Sequence, residues 1–160
     1  MRLSELIPPE DVILDVNVRD KPQALKFIAE ELSIDRLLDP ERVRQALAAR
    51  EELGSTGIGR GIALPHVCLK ELDGFRALFV RLAPPIDFNS VDGKPVDLIF
   101  TIISPAGKEG CTYKPFSILA AISRTLQDEA TTDELRHARS ASSVCKIFRR
   151  LEIAAINPVK

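Results

Sequence analysis

Residues 50 to 66 read Arg-Glu-Glu-Leu-Gly-Ser-Thr-Gly-Ile-Gly-Arg-Gly-Ile-Ala-Leu-Pro-His, and no helix can pass through them. Four of the eight glycines of the chain stand here, at 54, 57, 59 and 61. A residue without Cβ tolerates positive φ and close backbone approach, so a helix running in at Arg50 must end and a short apolar strand must start near Ile62. The same freedom lets backbone N–H groups at Gly54, Ser55, Thr56 and Gly57 converge on one point. The Ser55 and Thr56 hydroxyls, the Arg50 guanidinium and the His66 imidazole lie in the same stretch. Such a set suits a phosphate held beside a histidine.

The flanking periodicities predict one α/β domain over residues 1–160. Residues 1–11 read as a short helical turn ended by Pro8-Pro9, and residues 12–16 as a β-prone run. Asp20 can cap a helix with Gln23 at the capping-box position, and Leu25, Ile28, Ala29 and Leu32 then form one apolar stripe. Asp39-Pro40 starts a second helix, with Val43, Ala46 and Leu47 on its buried face. Arg50 falls on that face, seven residues after Val43. Either it satisfies the terminal carbonyls of the helix, or it reaches past the helix end toward an anion. Residues 62–64, 75–82 and 96–103 read as strands, the last central because it is the most apolar. Pro84-Pro85 and Asp92-Gly93 read as turns and 104–110 as a loop. Residues 114–126 read as a helix with Phe116, Leu119, Ala120, Ser123 and Leu126 on one face. Thr132-Asp133 opens a helix through Ala138, and Ser142 or Ser143 opens another carrying Val144, Ile147, Phe148 and Leu151. Strands interspersed with helices predict a mixed, mostly parallel β-sheet flanked by helices.

Several functions are excluded by what is missing. The formal charge of −1 offers no basic excess for a nucleic-acid backbone, and no apolar run approaches bilayer length, so neither nucleic acid nor membrane insertion is expected. Residues 1–6 hold no long apolar core, which predicts no signal peptide and a cytoplasmic protein. Three widely spaced cysteines predict neither a disulfide framework nor a zinc site, so Cys68, Cys111 and Cys145 each read as a small buried hydrophobe. No metal and no cofactor is expected. A dinucleotide loop needs a third glycine at 62 and the order strand–loop–helix, and a Walker A loop needs Lys-Ser/Thr where Arg60-Gly61 stands. Ser55 and Thr56 lie in no nucleophile elbow. His66 therefore carries the chemistry: a neutral imidazole, with ordinary pKa about 6.5, can attack phosphorus through one nitrogen while the other donates to a neighbour. His137 reads as a solvated helix residue.

Residues 50–66 resemble the signature of the type-2 enzyme IIA domain of the bacterial phosphotransferase system, the fructose/mannitol class, and the resemblance extends over essentially the whole chain. The stand-alone format and the opening Met-Arg-Leu-Ser-Glu-Leu-Ile are most similar to the nitrogen-regulatory branch. The resemblance implies that His66 accepts a phosphoryl group from a histidine phosphocarrier protein of nitrogen type, itself charged by enzyme I. It implies that Arg50 stabilises the phosphate, and that a regulated transporter or sensor kinase is the target. One position departs from the pattern. Pro115 stands where the family places a second active-site histidine, and Thr112 or Tyr113 would be the nearest substitutes. The departure bears on onward transfer more than on acceptance, and so favours a regulatory phospho-switch. The alternatives are a sugar-specific relay to a IIB domain and an interaction module that has lost phosphorylation.

Overall fold

In chain order, the computed structural model contains helix α1 (Leu3–Leu6), a 3-10 turn (Pro9–Asp11), strand β1 (Val12–Val16) and helices α2 (Lys21–Ser33) and α3 (Pro40–Glu52). Strands β2 (Gly57–Gly59), β3 (Ile62–Ala63), β4 (His66–Leu69), β5 (Arg76–Ile86), β6 (Val96–Gly107) and β7 (Gly110–Cys111) follow, then helices α4 (Pro115–Thr125), α5 (Glu129–His137) and α6 (Ala141–Arg149). The residues described are 1–34, 38–108, 110–111 and 115–153.

The long apolar run supplies the spine. The order β1-β5-β6-β3-β2 puts β6 in the middle, with β4 and β7 also paired to it. β5 runs antiparallel to β6, while β3 and then β4 run parallel to it, Ile62 opposite Leu98 and His66 opposite Ile102. β1 is parallel to β5, and β2 and β7 are antiparallel to β3 and β6. The sheet is thus mixed and flanked by helices. Because β6 is covered on both sides, its residues are buried without alternation. Leu98, Phe100 and Ile102 join the core beneath α4, α5 and α6, whereas Ile99 and Ile103 join the core beneath α2 and α3. Phe79, Phe100 and Phe148 lock β5, β6 and α6 together, with ring centroids 4.8 to 6.0 Å apart.

The helix starts follow their caps. Asp20 accepts the Gln23 amide at 2.9 Å, and the Gln23 side chain reaches back to the Arg19 amide, one residue before the cap. Asp39 accepts the Glu41 amide, with Pro40 in the first turn. The two C-terminal helices start earlier than their apolar residues suggest. Asp128 caps α5, and Ser140 rather than Ser142 or Ser143 caps α6, because each side chain lies three residues before the amide it accepts.

Other expectations are corrected. Pro84-Pro85 makes no turn: β5 continues through both to Ile86, and the ladder with β6 shifts register between Arg81 and Ile86, where amide-less residues do no harm. Residues 104–107 extend β6 and fold back through Gly110 to β7, rather than forming a loop. On α4 the core face is Ile118, Leu119, Ala121 and Ile122, continued by Leu126 just past its end, while Ala120 is exposed; the Phe116 side chain lies outside the described residues. Cys68 and Cys111 are joined in a disulfide, and neither is a buried hydrophobe; only Cys145 is buried and free among the described residues. Spacing hides the pair because 43 residues separate them, yet β6 gathers both, Cys68 opposite Ser104 and Cys111 opposite Ala106. Their Cα atoms stand 5.6 Å apart, a normal span for a bridge.

Truncating the aromatic lock should be costly. Phe148→Ala is expected to lower the unfolding free energy by about 3–5 kcal/mol in urea denaturation, since the ring is fully buried against two others.

Candidate functional site

His66 opens β4, and its backbone is fixed by the ladder: the preceding Pro65 carbonyl accepts the Ile102 amide at 3.0 Å. Its Nδ1 lies 2.9 Å from the Leu64 carbonyl oxygen. A carbonyl only accepts, so the bond requires the proton on Nδ1 and leaves the nucleophilic lone pair on Nε2. Burial of the ring pushes its pKa below 6.5, opposed by the Leu64 bond; the Arg50 charge lowers it further and the Glu51 charge raises it. His66 is therefore neutral at pH 7, the state that can attack phosphorus.

Arg50 and His66 line one cleft of about 440 Å³, together with Ser55, Thr56, Ile58, Leu64, Leu119, Ala120 and Ser123. Arg50 sits in the last turn of α3 and donates through Nη1 to the Gly54 carbonyl at 2.8 Å. It satisfies a carbonyl just past the helix end, and it lines the same cleft as the histidine, whose proton affinity its charge lowers.

The glycine stretch does more than bend. Gly57–Gly59 and Ile62–Ala63 form a tight hairpin through Arg60 and Gly61, both at positive φ, 60° and 81°. A Cβ at Gly61 would also stand 2.9 Å from Asp97 Oδ1, and one at Gly57 would overlap Ser90 Oγ. These glycines permit close packing of the hairpin rather than an open nest of amides.

The two loop hydroxyls are already engaged. Ser55 Oγ donates to the Phe88 carbonyl and accepts the Gly57 amide at 3.0 Å. Thr56 donates both its amide, at 3.2 Å, and its hydroxyl to the Glu51 carboxylate. Glu51 is itself buried and paired with Lys21 Nζ at 2.6 Å, while Lys21 packs over the Phe88 ring and donates to the Phe88 carbonyl. Sequence reasoning misses this ion pair. Glu51 adjoins Arg50 in the glycine-rich stretch, but nothing in spacing ties it to Lys21. It also misassigns two residues of α4: Ala120 and Ser123 face the cleft, not the core.

His137 is exposed at the end of α5, its Nδ1 on the Asp133 carbonyl, and lines a separate groove with Glu134 and Lys146. Thr112, Tyr113 and the Pro115 side chain lie outside the described residues. Among the described residues no three His, Cys, Asp or Glu side chains come together as metal ligands, and no helix is long and apolar enough to cross a membrane.

Long-range ¹⁵N–¹H spectra should show His66 as the Nδ1–H tautomer, titrating below 6.5. Removing the carboxylate by Glu51→Ala should cost about 1–3 kcal/mol in chemical denaturation, since it unpairs a half-buried ammonium and leaves the Thr56 amide and hydroxyl without their acceptor, and should perturb the His66 resonances; Lys21→Met in that background is expected to recover part of the loss.

Comparison with known proteins places these residues in context. The model of the family "Phosphoenolpyruvate-dependent sugar phosphotransferase system, EIIA 2" matches residues 5–151. A nitrogen regulatory protein of Bradyrhizobium diazoefficiens is 36% identical over 148 residues, covering 92% of this chain and 95% of that one. That of Escherichia coli K12 is 36% identical over 154 residues, 95% and 92% of the two chains. The crystal structure of nitrogen regulatory protein IIA-Ntr from Neisseria meningitidis superposes with a TM-score of 0.83 at 30% identity, covering 91% of this chain and 97% of that one.

Proposed function

Since the chain belongs to the EIIA 2 family of the phosphoenolpyruvate-dependent sugar phosphotransferase system, we propose that it accepts a phosphoryl group on Nε2 of His66 and works as a nitrogen- or metabolism-linked regulatory switch in the cytoplasm. The donor is a histidine phosphocarrier protein of nitrogen type, recharged by enzyme I. The observation that carries this reading is the Leu64 carbonyl on Nδ1, in a cleft shared with Arg50. It presents the second ring nitrogen as a nucleophile at neutral pH.

In the transfer, the Nε2 lone pair forms a bond to phosphorus while the phosphorus–nitrogen bond of the donor breaks and its electron pair returns to the donor ring. No proton has to leave His66, because Nδ1 keeps its own and the Leu64 carbonyl stabilises the positive charge that the ring gains. Charge on the phosphoryl oxygens meets the Arg50 guanidinium and the edge of the stretch Gly54, Ser55, Thr56, Gly57. Within that stretch the Ser55 amide suits this role best, since the Gly54, Thr56 and Gly57 amides are already given to the Glu51 carbonyl, the Glu51 carboxylate and Ser55 Oγ, and the hydroxyl protons of Ser55 and Thr56 to Phe88 and Glu51.

A regulatory role is supported by the relatives, which are named nitrogen regulatory proteins, and by Pro115, which cannot relay a proton or hold a phosphate. Ile58 in the cleft and the nearby Leu53 and Val91 are exposed by 39%, 85% and 83%, an apolar rim suited to a protein partner. The family is also that of a sugar transport system, so a relay to a IIB domain is the second reading.

Incubation with phosphoenolpyruvate, enzyme I and the phosphocarrier should place one acid-labile phosphoryl group on the chain by intact mass. His66→Ala should abolish it, and Arg50→Ala should slow it by about 10²-fold. The acceptance rate should stay flat from pH 8 down to the ordinary histidine pKa of about 6.5 and fall only below it, because the depressed pKa keeps the ring neutral until more acid conditions. Label that no IIB domain can remove favours the switch; label that one strips rapidly favours the relay.

A further inference from the structure

A second reactive pair stands beside the phosphoryl cleft. Cys68 lies two residues after His66 on β4, and alternation puts both side chains on one face of that strand. It is bonded to Cys111 of β7. We propose that Cys68 and Cys111 form a thiol–disulfide exchange site, whose substrates are dithiol reductants and low-molecular-weight disulfides, and whose redox state sets how fast the His66 cleft accepts a phosphoryl group. The second half of this proposal rests on the phosphoryl-acceptor reading above.

Access and leaving-group chemistry differ between the two sulfurs. Cys111 is exposed, whereas Cys68 is half-buried with its Sγ 3.1 Å from the hydroxyl of the fully buried Ser104. Reduction therefore runs in one direction. A reductant thiolate attacks Cys111 Sγ, the bond between the two cysteines breaks, and its electron pair stays on Cys68 Sγ. There the Ser104 O–H donates to the thiolate, which then takes a proton from water. The second thiolate of the reductant attacks its own sulfur in the mixed disulfide. This releases Cys111 as thiolate, to be protonated in turn, and the reductant departs as a disulfide. Two electrons and two protons enter the pair. Oxidation by glutathione disulfide is the reverse, releasing two glutathione thiols.

The bond braces the cleft from both sides. β4 carries His66. β7 is two exposed residues, held to β6 at Ala106–Cys111 and Gly107–Gly110. Four residues beyond Cys111 the chain enters α4, whose Leu119, Ala120 and Ser123 line the same cleft as the histidine. Without the bridge, so short a strand is a weak anchor between the two walls, and phosphoryl transfer is sensitive to small losses of alignment. Cys145 serves as an internal reference: it lies on the buried face of α6, and burial pushes its thiol up, so it stays unreactive.

The full chain is equilibrated in graded mixtures of glutathione and glutathione disulfide, its thiols are trapped with a maleimide under native conditions, and the mass is read. The expected result is a cooperative step from no label to two, both on Cys68 and Cys111. No label at any ratio, or two labels at every ratio, overturns the exchange site. Phosphorylation by the donor chain is then timed in both states. Acceptance by the reduced protein should be about tenfold slower, and Cys111→Ser, an exposed and structurally mild change, should match the reduced rate whatever the buffer. Equal rates in the two states overturn the coupling. If neither state takes phosphate, the phosphoryl reading itself fails, and the maleimide series still decides whether the pair exchanges.

Discussion

Glu51 is a carboxylate withdrawn from water, and the architecture around the cleft follows from what that costs. An isolated buried charge is expensive unless it is paired and hydrogen-bonded. Here the partners are Lys21 at the start of α2 and the amide and hydroxyl of Thr56 at the entry to the hairpin. One side chain thereby ties together the ends of two helices and the entry to the hairpin. Arg50 precedes it and turns back over Gly54. Thr56 passes the constraint on, since its carbonyl accepts the Leu64 amide and the Leu64 carbonyl holds the His66 ring. The pose of the imidazole is thus three hydrogen bonds away from a buried ion pair on another layer.

Much of this frame is legible in the amino-acid sequence. The stripes of α2 and α3, the caps Asp20 and Asp39, and the central place of residues 96–103 are local signals, and local signals survive folding. So is the stretch from Arg50 to His66, because glycine density and a charge on an apolar helix face are anomalies against ordinary periodicity. What cannot be read is everything that depends on register. The Lys21–Glu51 pair joins two helices, the Cys68–Cys111 bridge joins two strands through a third, and the face of α4 depends on which neighbour it packs against. Proline and small residues mislead here where they usually inform. Pro84 and Pro85 read as a turn but occupy a slip in the ladder, and Ala120 reads as core but borders the cleft.

The glycines illustrate how one composition can support two different arguments. Dense glycine suggests a nest of amides. At Gly57 and Gly61 the requirement is instead absence of bulk, against Ser90 in one case and against Asp97 and Arg136 in the other. Arg136 makes the second contact consequential. It donates to both Asp97 oxygens and to the Arg60 carbonyl, so α5 clamps the outer end of the hairpin while Glu51 clamps the inner end. Held at both ends, the hairpin keeps Arg50 and His66 in one cleft.

That rigidity bears on how a phosphoryl group would be sensed. Arg50 lowers the proton affinity of His66 in the resting state, and its charge is then opposite to that of any phosphate on the ring. What changes is the field: roughly −1.5 to −2 of charge arrives between Arg50 and an apolar rim at Leu53, Ile58 and Val91. A partner that docks on that rim in the resting protein would have to bury a dianion beside apolar contacts after phosphorylation, which desolvation penalises strongly. A switch of the kind proposed would therefore work through electrostatic compatibility at that rim, with its two states sharing one fold.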